Sequence, residues 1–421
     1  MKAGVIVVGG GQAGGRTALL LAERGYPGPV TLIGAEAIAP YERPSLSKEM
    51  LADPRHPPVL LAPADDYERR GVNLRLGRRV TAIDRPGRRV TLDDGTTLPY
   101  ERLVLATGGQ PRHLPFALSR LGVLRTVDDV RAIARQAEQA ASVLVIGGGV
   151  IGLEVAATLR GRGLAVTVVE VGSRVLGRNF PAAVAGLIAA RHRAEGVDLR
   201  TGLRVRAITE DGAGLRATLS DGTTVTADFA IAGIGIVPDT ALAQACGLVT
   251  DDGVVVDARM RSSDPAILAI GDIAAQPGGD GRPRRCETWQ NANVTAERAV
   301  ATILGEPAPP DDAGWFWTDQ YDLNVQLAGD TTEGRAEGRA EGRIVEQRAS
   351  VAEGRLFLVL DGTRLIGAAA VNAGRDMSVC RRLIAAGARL PETLTAAAAF
   401  DVRAARALLT AAPASARPVD A

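Results

Sequence analysis

The most regular feature of the chain is a pattern that occurs twice, in which an unbroken apolar run leads through a glycine-rich turn into a run rich in alanine and leucine. The short apolar run is typical of a strand buried on both faces, and the longer run predicts a helix. Each pattern ends in a second apolar run, so both predict a β-α-β unit. The first comprises 5–8, 12–24 and 30–33, and the second comprises 143–146, 151–162 and 165–170.

The rest of the chain predicts further strands, several of which alternate apolar and polar positions. The predicted elements are a strand at 102–108, a meander at 204–209, 215–219 and 224–229, a strand at 266–272, a helix at 289–304 and a small antiparallel α+β group at 323–328, 356–360 and 364–371. Stretches rich in glycine or proline at 109–115 and 305–312 predict connections between domains. The repeat EGRAEGRAEGR at 333–343 is expected to form a solvated loop or a hairpin extension, and the end from about 411 is expected to be frayed.

Both glycine-rich turns have the spacing GxGxxG, directly between a predicted strand and a predicted helix. The first glycine permits a tight turn, the second lets the main chain approach a pyrophosphate, and the third allows close packing of helix and sheet. The pattern indicates two Rossmann-like dinucleotide-binding domains; the alternative is two glycine-rich turns that bind nothing. These fingerprints contain Gly9, Gly11, Gln12, Ala13 and Gly14, and Gly147, Gly149, Val150, Ile151 and Gly152.

Composition narrows the class of protein. With 421 residues the chain is long enough for two or three domains, since a single core stops growing at about 250–300 residues. Its 49 basic and 48 acidic residues create no overall field that would favour nucleic acid or an anionic membrane as partner. No apolar run reaches the roughly 18–20 residues of a membrane span, and we expect a cytoplasmic protein without a signal peptide.

Two residue types are used sparingly, and both are informative. Cys246, Cys286 and Cys380 lie far apart, so neither a redox disulfide nor a thiolate metal site is indicated, and we expect small buried side chains. Lys2 and Lys48 are the only lysines among 49 basic residues. A chain that otherwise uses arginine predicts a need for a compact ammonium at position 48, with chance as the alternative.

Five further motifs complete a family pattern, at 39–48 (APYERPSLSK), 106–108 (ATG), 233–238 (GIGIVP), 269–272 (AIGD) and 287–292 (ETWQNA). With the two fingerprints they resemble, from residue 4 to 390, the FAD-dependent ferredoxin reductases that feed cytochrome P450 and Rieske-type oxygenases, within the glutathione-reductase-like flavoprotein superfamily. The resemblance implies an α/β fold with an FAD domain at 1–110 and 240–312, an inserted NAD domain at 111–239, a C-terminal α+β domain at 313–405 and a tail at 406–421.

The resemblance implies FAD and NADH as cofactors. In such proteins the first fingerprint holds the FAD pyrophosphate, and Asp272 matches a residue that binds the ribityl chain. The acid that usually binds the adenosine ribose is replaced by Ala35, with Glu36 next to it. The cofactor-binding residues implied in this way are Gly9, Gly11, Gln12, Ala13, Gly14, Ala35, Glu36, Arg43, Lys48, Val80, Ala106, Thr107, Gly108, Arg125, Gly147, Gly149, Val150, Ile151, Gly152, Glu154, Glu170, Gly235, Gly271, Asp272, Glu287, Thr288 and Trp289.

Lys48 and Glu154 are the catalytic residues that the resemblance implies. Lys48 matches a lysine at the reactive edge of the flavin, where positive charge stabilises arriving electron density. Glu154 matches a glutamate near the nicotinamide that can pair with this lysine; an ordinary acid in the first turns of a helix is the alternative. The helix that begins near Trp289 is expected to direct its N-terminus at the pyrimidine end of the flavin, with a core aromatic as the alternative for Trp289.

Glu170 predicts which nucleotide is used, because it ends the strand that follows the second fingerprint. A carboxylate there accepts hydrogen bonds from the ribose hydroxyls and repels a 2'-phosphate, so we expect NADH to be preferred over NADPH. Arg174 would accommodate the phosphate if its side chain turned inward, but we expect a solvated arginine.

Residues that are missing narrow the reaction. The region after the first unit contains no cysteine, whereas dithiol reductases of the superfamily carry CxxxxC there, and peroxidase and oxidase relatives carry a single cysteine. None of His56, His113 and His192 matches a site. We therefore expect electrons to leave the reduced flavin directly. The resemblance implies that a hydride passes from NADH to FAD, that single electrons pass to a [2Fe-2S] ferredoxin, and that this ferredoxin serves an oxygenase. The alternatives are a rubredoxin or monodehydroascorbate reductase, or a FAD-binding redox sensor like the apoptosis-inducing-factor relatives.

Charge predicts where the ferredoxin docks. Ferredoxins of this type are usually acidic, so a local basic patch must steer them to this nearly neutral chain. Arg282, Arg284 and Arg285 precede the flavin-facing motif and form the predicted patch, with a solvated loop as the alternative. Arg381 and Arg382 are expected to supplement it.

Overall fold

A computed structural model shows that the chain forms two compact units. Residues 1–139 and 232–310 make up the first unit, and residues 140–231 and 311–421 make up the second. The structure describes residues 3–116, 118–178, 180–212, 214–278, 281–310, 313–332, 343–351 and 353–411. The expectations for the repeat, except Arg343, and for the chain end at 412–421 lie outside the described residues.

A β-α-β unit begins each compact unit. The elements before residue 140 are β1 (Gly4–Val8), α1 (Gln12–Glu23), β2 (Val30–Gly34), α2 (Glu49–Ala52), α3 (Ala64–Arg69), β3 (Val72–Leu76), β4 (Val80–Asp84), β5 (Arg89–Leu92), β6 (Thr97–Leu105), β7 (Gly109–Pro111), β8 (Leu121–Gly122) and α4 (Val127–Ala137). They are followed by β9 (Ser142–Ile146), α5 (Val150–Gly161), β10 (Ala165–Glu170), α6 (Ala182–Ala194), β11 (Asp198–Thr201), β12 (Val205–Asp211), β13 (Gly214–Leu219), β14 (Thr224–Ala227) and β15 (Phe229–Ala232). Both expected β-α-β units are confirmed.

The remaining elements return to the first unit and then complete the second. They are β16 (Ile236–Pro238), α7 (Ala241–Ala245), β17 (Val254–Val255), β18 (Ile267–Ala269), β19 (Ala274–Pro277), β20 (Pro283–Arg284), α8 (Trp289–Leu304), β21 (Trp315–Gln320), β22 (Leu323–Gly329), β23 (Arg343–Arg348), β24 (Arg355–Asp361), β25 (Arg364–Val371), α9 (Gly374–Ala385), α10 (Glu392–Thr395) and α11 (Val402–Ala411). The helix expected at 289–304 is confirmed. The strand expected at 266–272 ends at Ala269, because a 3-10 turn occupies Gly271–Ile273.

The first unit is built around a sheet with the strand order β3-β2-β1-β6-β5-β4, and β18 pairs with β6. β1, β2, β3, β6 and β18 run parallel, and β1 is buried along its whole length, as in a strand covered on both faces. Val8 lies opposite Leu105, which lies opposite Ala269. The first fingerprint and the motifs at 106–108 and 269–272 are therefore found at the same carboxyl edge of the sheet.

The second unit combines a parallel sheet with antiparallel ones. The parallel strands β9, β10 and β11 lie side by side, and β12, β13 and β14 form the expected antiparallel meander. The C-terminal part is an antiparallel sheet in the order β21-β22-β25-β24-β23, and buried side chains of α9 pack against it. The expected antiparallel α+β group is confirmed. None of the described helices combines the length and apolar character that a membrane span requires.

Candidate active site

The first fingerprint forms the turn between β1 and α1. Gly9 has a φ of +120°, and a Cβ atom there would lie 2.1 Å from the Ala106 carbonyl oxygen. A Cβ atom at Gly14 would lie 1.9 Å from the Gly9 carbonyl oxygen, so both positions require glycine. At Gly11, in contrast, a Cβ atom would meet nothing within 4 Å in the part of the chain that the structure describes. Gly11 is the N-cap of α1 and makes no side-chain cap, so a pyrophosphate can approach the first-turn N–H groups.

The second fingerprint repeats this geometry between β9 and α5. Gly147 has a φ of +109°, and a Cβ atom at Gly152 would lie 2.1 Å from the Gly147 carbonyl oxygen. Gly149 is the N-cap of α5 without a side-chain cap, and a Cβ atom there would meet no described residue within 4 Å. Close packing beneath the turn and open space above the helix N-terminus fit a second dinucleotide.

Glu170 is held against the second fingerprint by two main-chain hydrogen bonds. The N–H of Gly148 donates to its Oε2 atom over 2.6 Å, and the N–H of Gly172 donates to its Oε1 atom over 2.6 Å. These bonds fix the carboxylate at the end of β10, beside the turn. A negative charge is therefore held where the adenosine ribose of a dinucleotide is expected.

A line of polar contacts joins predicted FAD residues of the first unit. Glu36 accepts hydrogen bonds from the Tyr41 hydroxyl over 2.7 Å and from Arg43 Nη2 over 2.9 Å. Arg43 Nη1 donates to the Arg125 carbonyl oxygen. Arg125 Nη2 donates to Asp272 Oδ2 over 3.2 Å. Residues that are distant in sequence are thus brought together at the carboxyl edge of the sheet.

Burial controls the charges in this line of contacts. Removal from water lowers the pKa of the Arg125 guanidinium, the nearby Arg43 cation lowers it further, and the Asp272 carboxylate raises it. Burial also raises the pKa of the Tyr41 hydroxyl, which therefore donates to Glu36 as a neutral phenol. Two arginines and two carboxylates balance each other, so the cluster carries little net charge.

The N-terminus of α8 carries further predicted flavin contacts. Thr288 is the N-cap and accepts from the Asn291 N–H over 3.1 Å, and Trp289 is the first helical residue. Gln12 Nε2 donates to Asn293 Oδ1 over 3.0 Å, which ties α1 to α8. The Gln12 Oε1 atom is buried and finds no hydrogen-bond partner among the described residues. A donor on a bound cofactor would satisfy it.

The two predicted catalytic residues belong to different units. Lys48 directly precedes α2 in the first unit and is half-buried. Glu154 lies on α5 in the second unit, is 4% exposed, and accepts a hydrogen bond of 2.6 Å from the Thr318 hydroxyl on β21. An acid that merely complements a helix dipole would face water, so this burial disfavours the ordinary interpretation of Glu154.

Other predicted contact residues have simpler surroundings. The Thr107 hydroxyl donates to the Asp239 carbonyl oxygen over 2.9 Å. Val80 packs in the hydrophobic core of the first unit, whereas Ala35 is exposed and offers no carboxylate beside Glu36. The left-handed φ angles that favour glycine are found at Gly108, Gly235 and Gly271.

Comparison with known proteins decides the family. A family model described as pyridine nucleotide-disulphide oxidoreductase matches residues 3–296, which include both fingerprints. The chain belongs to this family. A second model, described as reductase C-terminal, matches residues 315–406, which include the antiparallel C-terminal sheet of the reductase.

The reductase is similar over most of its length to ferredoxin reductases. It is 40% identical over 391 residues to the anthranilate 1,2-dioxygenase system ferredoxin–NAD(+) reductase component of Burkholderia cepacia, a match that covers 91% of this chain and 94% of the relative. It is 38% identical over 383 residues to the p-cumate 2,3-dioxygenase system counterpart of Pseudomonas putida, with 90% and 92% covered. A solved covalent complex of putidaredoxin reductase with putidaredoxin matches with a TM-score of 0.88 at 33% identity, covering 98% of this chain and 100% of that one.

The loop expected to dock a partner is more complex in the reductase than its sequence suggests. Arg282 and Arg284 are exposed. The Arg285 side chain is only 8% exposed, donates to Glu287 over 2.7 Å and lies 3.3 Å from Asp252. Because two carboxylates balance its charge, Arg285 stabilises the loop and contributes little to a surface patch.

Two other expectations about the reductase are wrong. Arg174 is not a solvated arginine, since it donates to the carbonyl oxygens of Leu176 over 3.1 Å and of Phe180 over 3.0 Å. It therefore organises the loop after β10. Cys286 is exposed rather than buried and Cys246 is half-buried, whereas Cys380 is buried as expected.

Thr318 is the site residue that sequence reasoning missed. It lies in the aromatic segment WFWTDQ and is fully buried. The only signal in the sequence is a hydroxyl that follows three aromatic residues. Nothing in that signal indicates a contact with Glu154, which lies 164 positions earlier in the chain.

Proposed function

We propose that the chain is a NADH-dependent, FAD-containing ferredoxin reductase that takes a hydride from NADH and delivers single electrons to a [2Fe-2S] ferredoxin serving an oxygenase. The observation that carries the proposal is the pair of fingerprints, in each of which the helix N-terminus is open above a turn that only glycine permits. The ferredoxin reductases that match it over 90% or more of this chain support the proposal. A cytoplasmic location is proposed with it.

The proposal divides the chain by cofactor. In this proposal residues 1–110 and 240–312 bind FAD, and residues 111–239 bind NADH. Residues 313–405 form the C-terminal α+β domain. The helix N-terminus at Gly11 would hold the FAD pyrophosphate, and Asp272, bound by Arg125, would hold the ribityl chain. Glu36 replaces the acidic residue that usually binds the adenosine ribose and that is absent at Ala35. Its carboxylate is oriented by hydrogen bonds from Tyr41 and Arg43.

The chemistry follows from charge placed around the flavin. FAD supplies hydride acceptance and one-electron release when bound. Lys48 would stabilise negative charge at the reactive edge of the bound flavin, and the N-terminus of α8 would favour negative charge at its pyrimidine end. Glu154, held by the Thr318 hydroxyl, would orient the nicotinamide.

The turnover of NADH with different acceptors tests the proposed function. We expect the purified protein, loaded with FAD, to oxidise NADH rapidly when an acidic [2Fe-2S] ferredoxin is added and slowly without it. Rubredoxin and monodehydroascorbate serve as comparison acceptors. Faster turnover with either of them, or slow turnover with all three, would favour another reductase or a redox sensor.

Replacing Glu170 with alanine is expected to reduce the preference for NADH over NADPH. The carboxylate beside the ribose repels a 2'-phosphate, so its removal should lower the ratio of the two kcat/KM values by about tenfold or more. Steady-state kinetics with both nucleotides measure this ratio. Glu170→Gln removes the charge while keeping an oxygen that can accept from the Gly148 N–H, so it separates charge from loop geometry.

A matched control for Glu170 is available on the neighbouring strand. Asp198 is a half-exposed carboxylate on β11, which pairs with β10. Asp198→Ala removes the same charge and should leave the ratio unchanged. If Glu170→Ala also leaves it unchanged, Glu170 does not contact the ribose.

The exposed pair Arg282 and Arg284 is proposed as the docking patch, with Arg285 holding the loop beneath it. Arg282→Gln with Arg284→Gln should raise the KM for ferredoxin and weaken its dependence on salt, since exposed charges act on encounter and are screened within about 8–10 Å. The NADH–ferricyanide activity should stay normal, because a small anion needs no docked geometry. Steady-state kinetics at several salt concentrations provide the measurement.

The control for the docking pair is Arg206→Gln with Arg216→Gln, which removes two exposed charges from the meander of the second unit. This control should leave the KM for ferredoxin and its salt slope at wild-type values. Equal effects of the two double variants would show that overall charge, and not the loop, steers the partner.

A further inference from the structure

A line of buried polar side chains crosses the second unit from α6 through β21 to α5. His192 Nε2 lies 2.8 Å from Gln320 Oε1, and Gln320 Nε2 lies 3.1 Å from Thr318 Oγ1. Thr318 Oγ1 lies 2.6 Å from Glu154 Oε1. These four side chains are at most 4% exposed. At the outer end the Tyr321 hydroxyl lies 3.4 Å from His192 Nδ1.

The chemistry of these groups determines which atom donates and which atom accepts in each hydrogen bond. An ionised Glu154 carboxylate can only accept, so the single proton of the Thr318 hydroxyl is donated to it. The Thr318 oxygen then accepts from the Gln320 amide nitrogen, which leaves the Gln320 carbonyl oxygen to accept from His192 Nε2–H. His192 Nδ1 accepts from the Tyr321 hydroxyl. Because each hydrogen bond polarises the next one along the line, the Thr318 hydroxyl is a stronger donor to Glu154 than an isolated hydroxyl would be.

The surroundings of His192 agree with a neutral ring. Burial lowers its pKa and the adjacent Arg191 cation lowers it further, while the bond to Gln320 opposes these effects. Arg191 is itself bound by Glu195 and Asp322, which weakens its field. Burial raises the pKa of Tyr321 to about 12, so its hydroxyl remains a donor.

We propose that Thr318 is a positioning residue for Glu154, and that Gln320 and the neutral His192 fix the orientation of the Thr318 hydroxyl. The C-terminal sheet thereby sets the direction of a carboxylate on the nucleotide-binding helix α5. This inference rests on the role proposed above for Glu154 near the nicotinamide. A side chain that is buried on a helix can adopt several rotamers, and one strong donor selects among them.

The test compares hydride transfer in variants of the FAD-loaded protein. Thr318→Val removes the donor and keeps the shape, so the rate of FAD reduction at saturating NADH should fall about tenfold, as expected for a lost hydrogen bond to a charged group. The Kd for NADH should change by less than about threefold, since the hydroxyl acts on orientation and not on nucleotide binding. Thr318→Ser keeps the hydroxyl and should restore the rate.

Thr395→Val is the matched control, because Thr395 is also a buried threonine of the second unit and its hydroxyl donates locally, to the Glu392 carbonyl oxygen. It should leave the reduction rate unchanged. An equal loss in Thr318→Val and Thr395→Val would show general destabilisation and would overturn the inference.

Combination with Glu154→Gln separates the two proposals. If Glu154→Gln alone reduces FAD at the wild-type rate, the proposed role of Glu154 fails. If Glu154→Gln is impaired and Thr318→Val is not, only the positioning role fails. When both are impaired, the double variant should be no slower than Glu154→Gln alone, since the hydroxyl acts through the carboxylate. Fully additive losses would overturn the inference.

Nitrogen NMR of histidine-labelled protein gives a readout that does not depend on activity. The chain has only three histidines, so the signals are easily assigned with variants. His192 should carry its proton on Nε2 and should not titrate between about pH 5.5 and 8, unlike an ordinary histidine. A neutral ring with its proton on Nδ1 would reverse the donor direction, and titration of His192 in this range would show that the ring is not held neutral. Either result would overturn the inference.

Discussion

Replacing Lys48 with alanine is expected to slow the reduction of FAD by NADH on the order of a hundredfold, because a preorganised charge at the developing negative charge is lost. NADH binding should be nearly unchanged, since the ammonium acts on charge that appears during transfer. Lys48 is half-buried and directly precedes α2, whose Met50 and Leu51 are buried. The main-chain bond from Ala52 to the Lys48 carbonyl oxygen does not involve the side chain, so the loop should persist in the variant.

Lys48→Arg should also be impaired, because a planar guanidinium does not reproduce a compact ammonium. Stopped-flow measurement of the reduction rate against NADH concentration separates the rate from the Kd. Arg55→Ala, which removes a cation that is 90% exposed, is the control and should behave like wild type. Wild-type reduction rates in both Lys48 variants would exclude the proposed role.

Replacement by alanine should affect different properties at two glycines of the first fingerprint: stability at Gly14 and FAD affinity at Gly11. A methyl group at Gly14 would lie 1.9 Å from the Gly9 carbonyl oxygen, so Gly14→Ala should destabilise the fold by about 1–3 kcal/mol or more. A methyl group at Gly11 would meet no atom of the described residues within 4 Å. Gly11→Ala should therefore keep the stability of the apoprotein and lose FAD affinity, because the methyl group occupies the space proposed for the pyrophosphate.

The measurements are the thermal midpoint of the apoprotein and the ratio of FAD to protein after gel filtration with added FAD. Gly186→Ala provides a control, since Gly186 lies exposed within α6 and no other described residue lies within 4 Å of its Cβ position. It should leave FAD content unchanged and, if anything, raise stability by up to about 1 kcal/mol. Full FAD content in Gly11→Ala would show that the pyrophosphate does not approach that turn.

Much of the fold was predictable because it is local. The strand and helix bounds of both β-α-β units follow from runs of apolar residues and from the glycines between them. The strand before Gly271 was predicted too long, because apolar character continues where the chain turns at a positive φ. The strands at Val72–Leu76 and Val80–Asp84 were not predicted, since their pairing partners are not visible in a local pattern.

The candidate site was only partly predictable, because some of its contacts join residues that lie far apart in sequence. Glu170 could be selected as a ribose-binding residue from its place at the end of a strand. Its contact with Gly148 follows from packing that the fingerprint itself creates. Arg285 was expected to be a surface cation, but its burial depends on Asp252 and Glu287, and only the first of these lies far away in sequence. Charge counted along a chain does not reveal which cations are already paired in the fold.

The sequence by itself determined the two nucleotide-binding turns. Gly9, Gly14 and Gly152 are required for steric reasons, because the atoms that a side chain would strike lie a few residues away or next to the adjacent strand. Only the tertiary structure decided the surroundings of the charged groups. Thr318 reaches Glu154 across 164 positions, and Arg125 reaches Asp272 across 147. The physical reason is that sterics and hydrophobic periodicity act over short stretches, whereas burial of a charge depends on whatever the whole fold places around it.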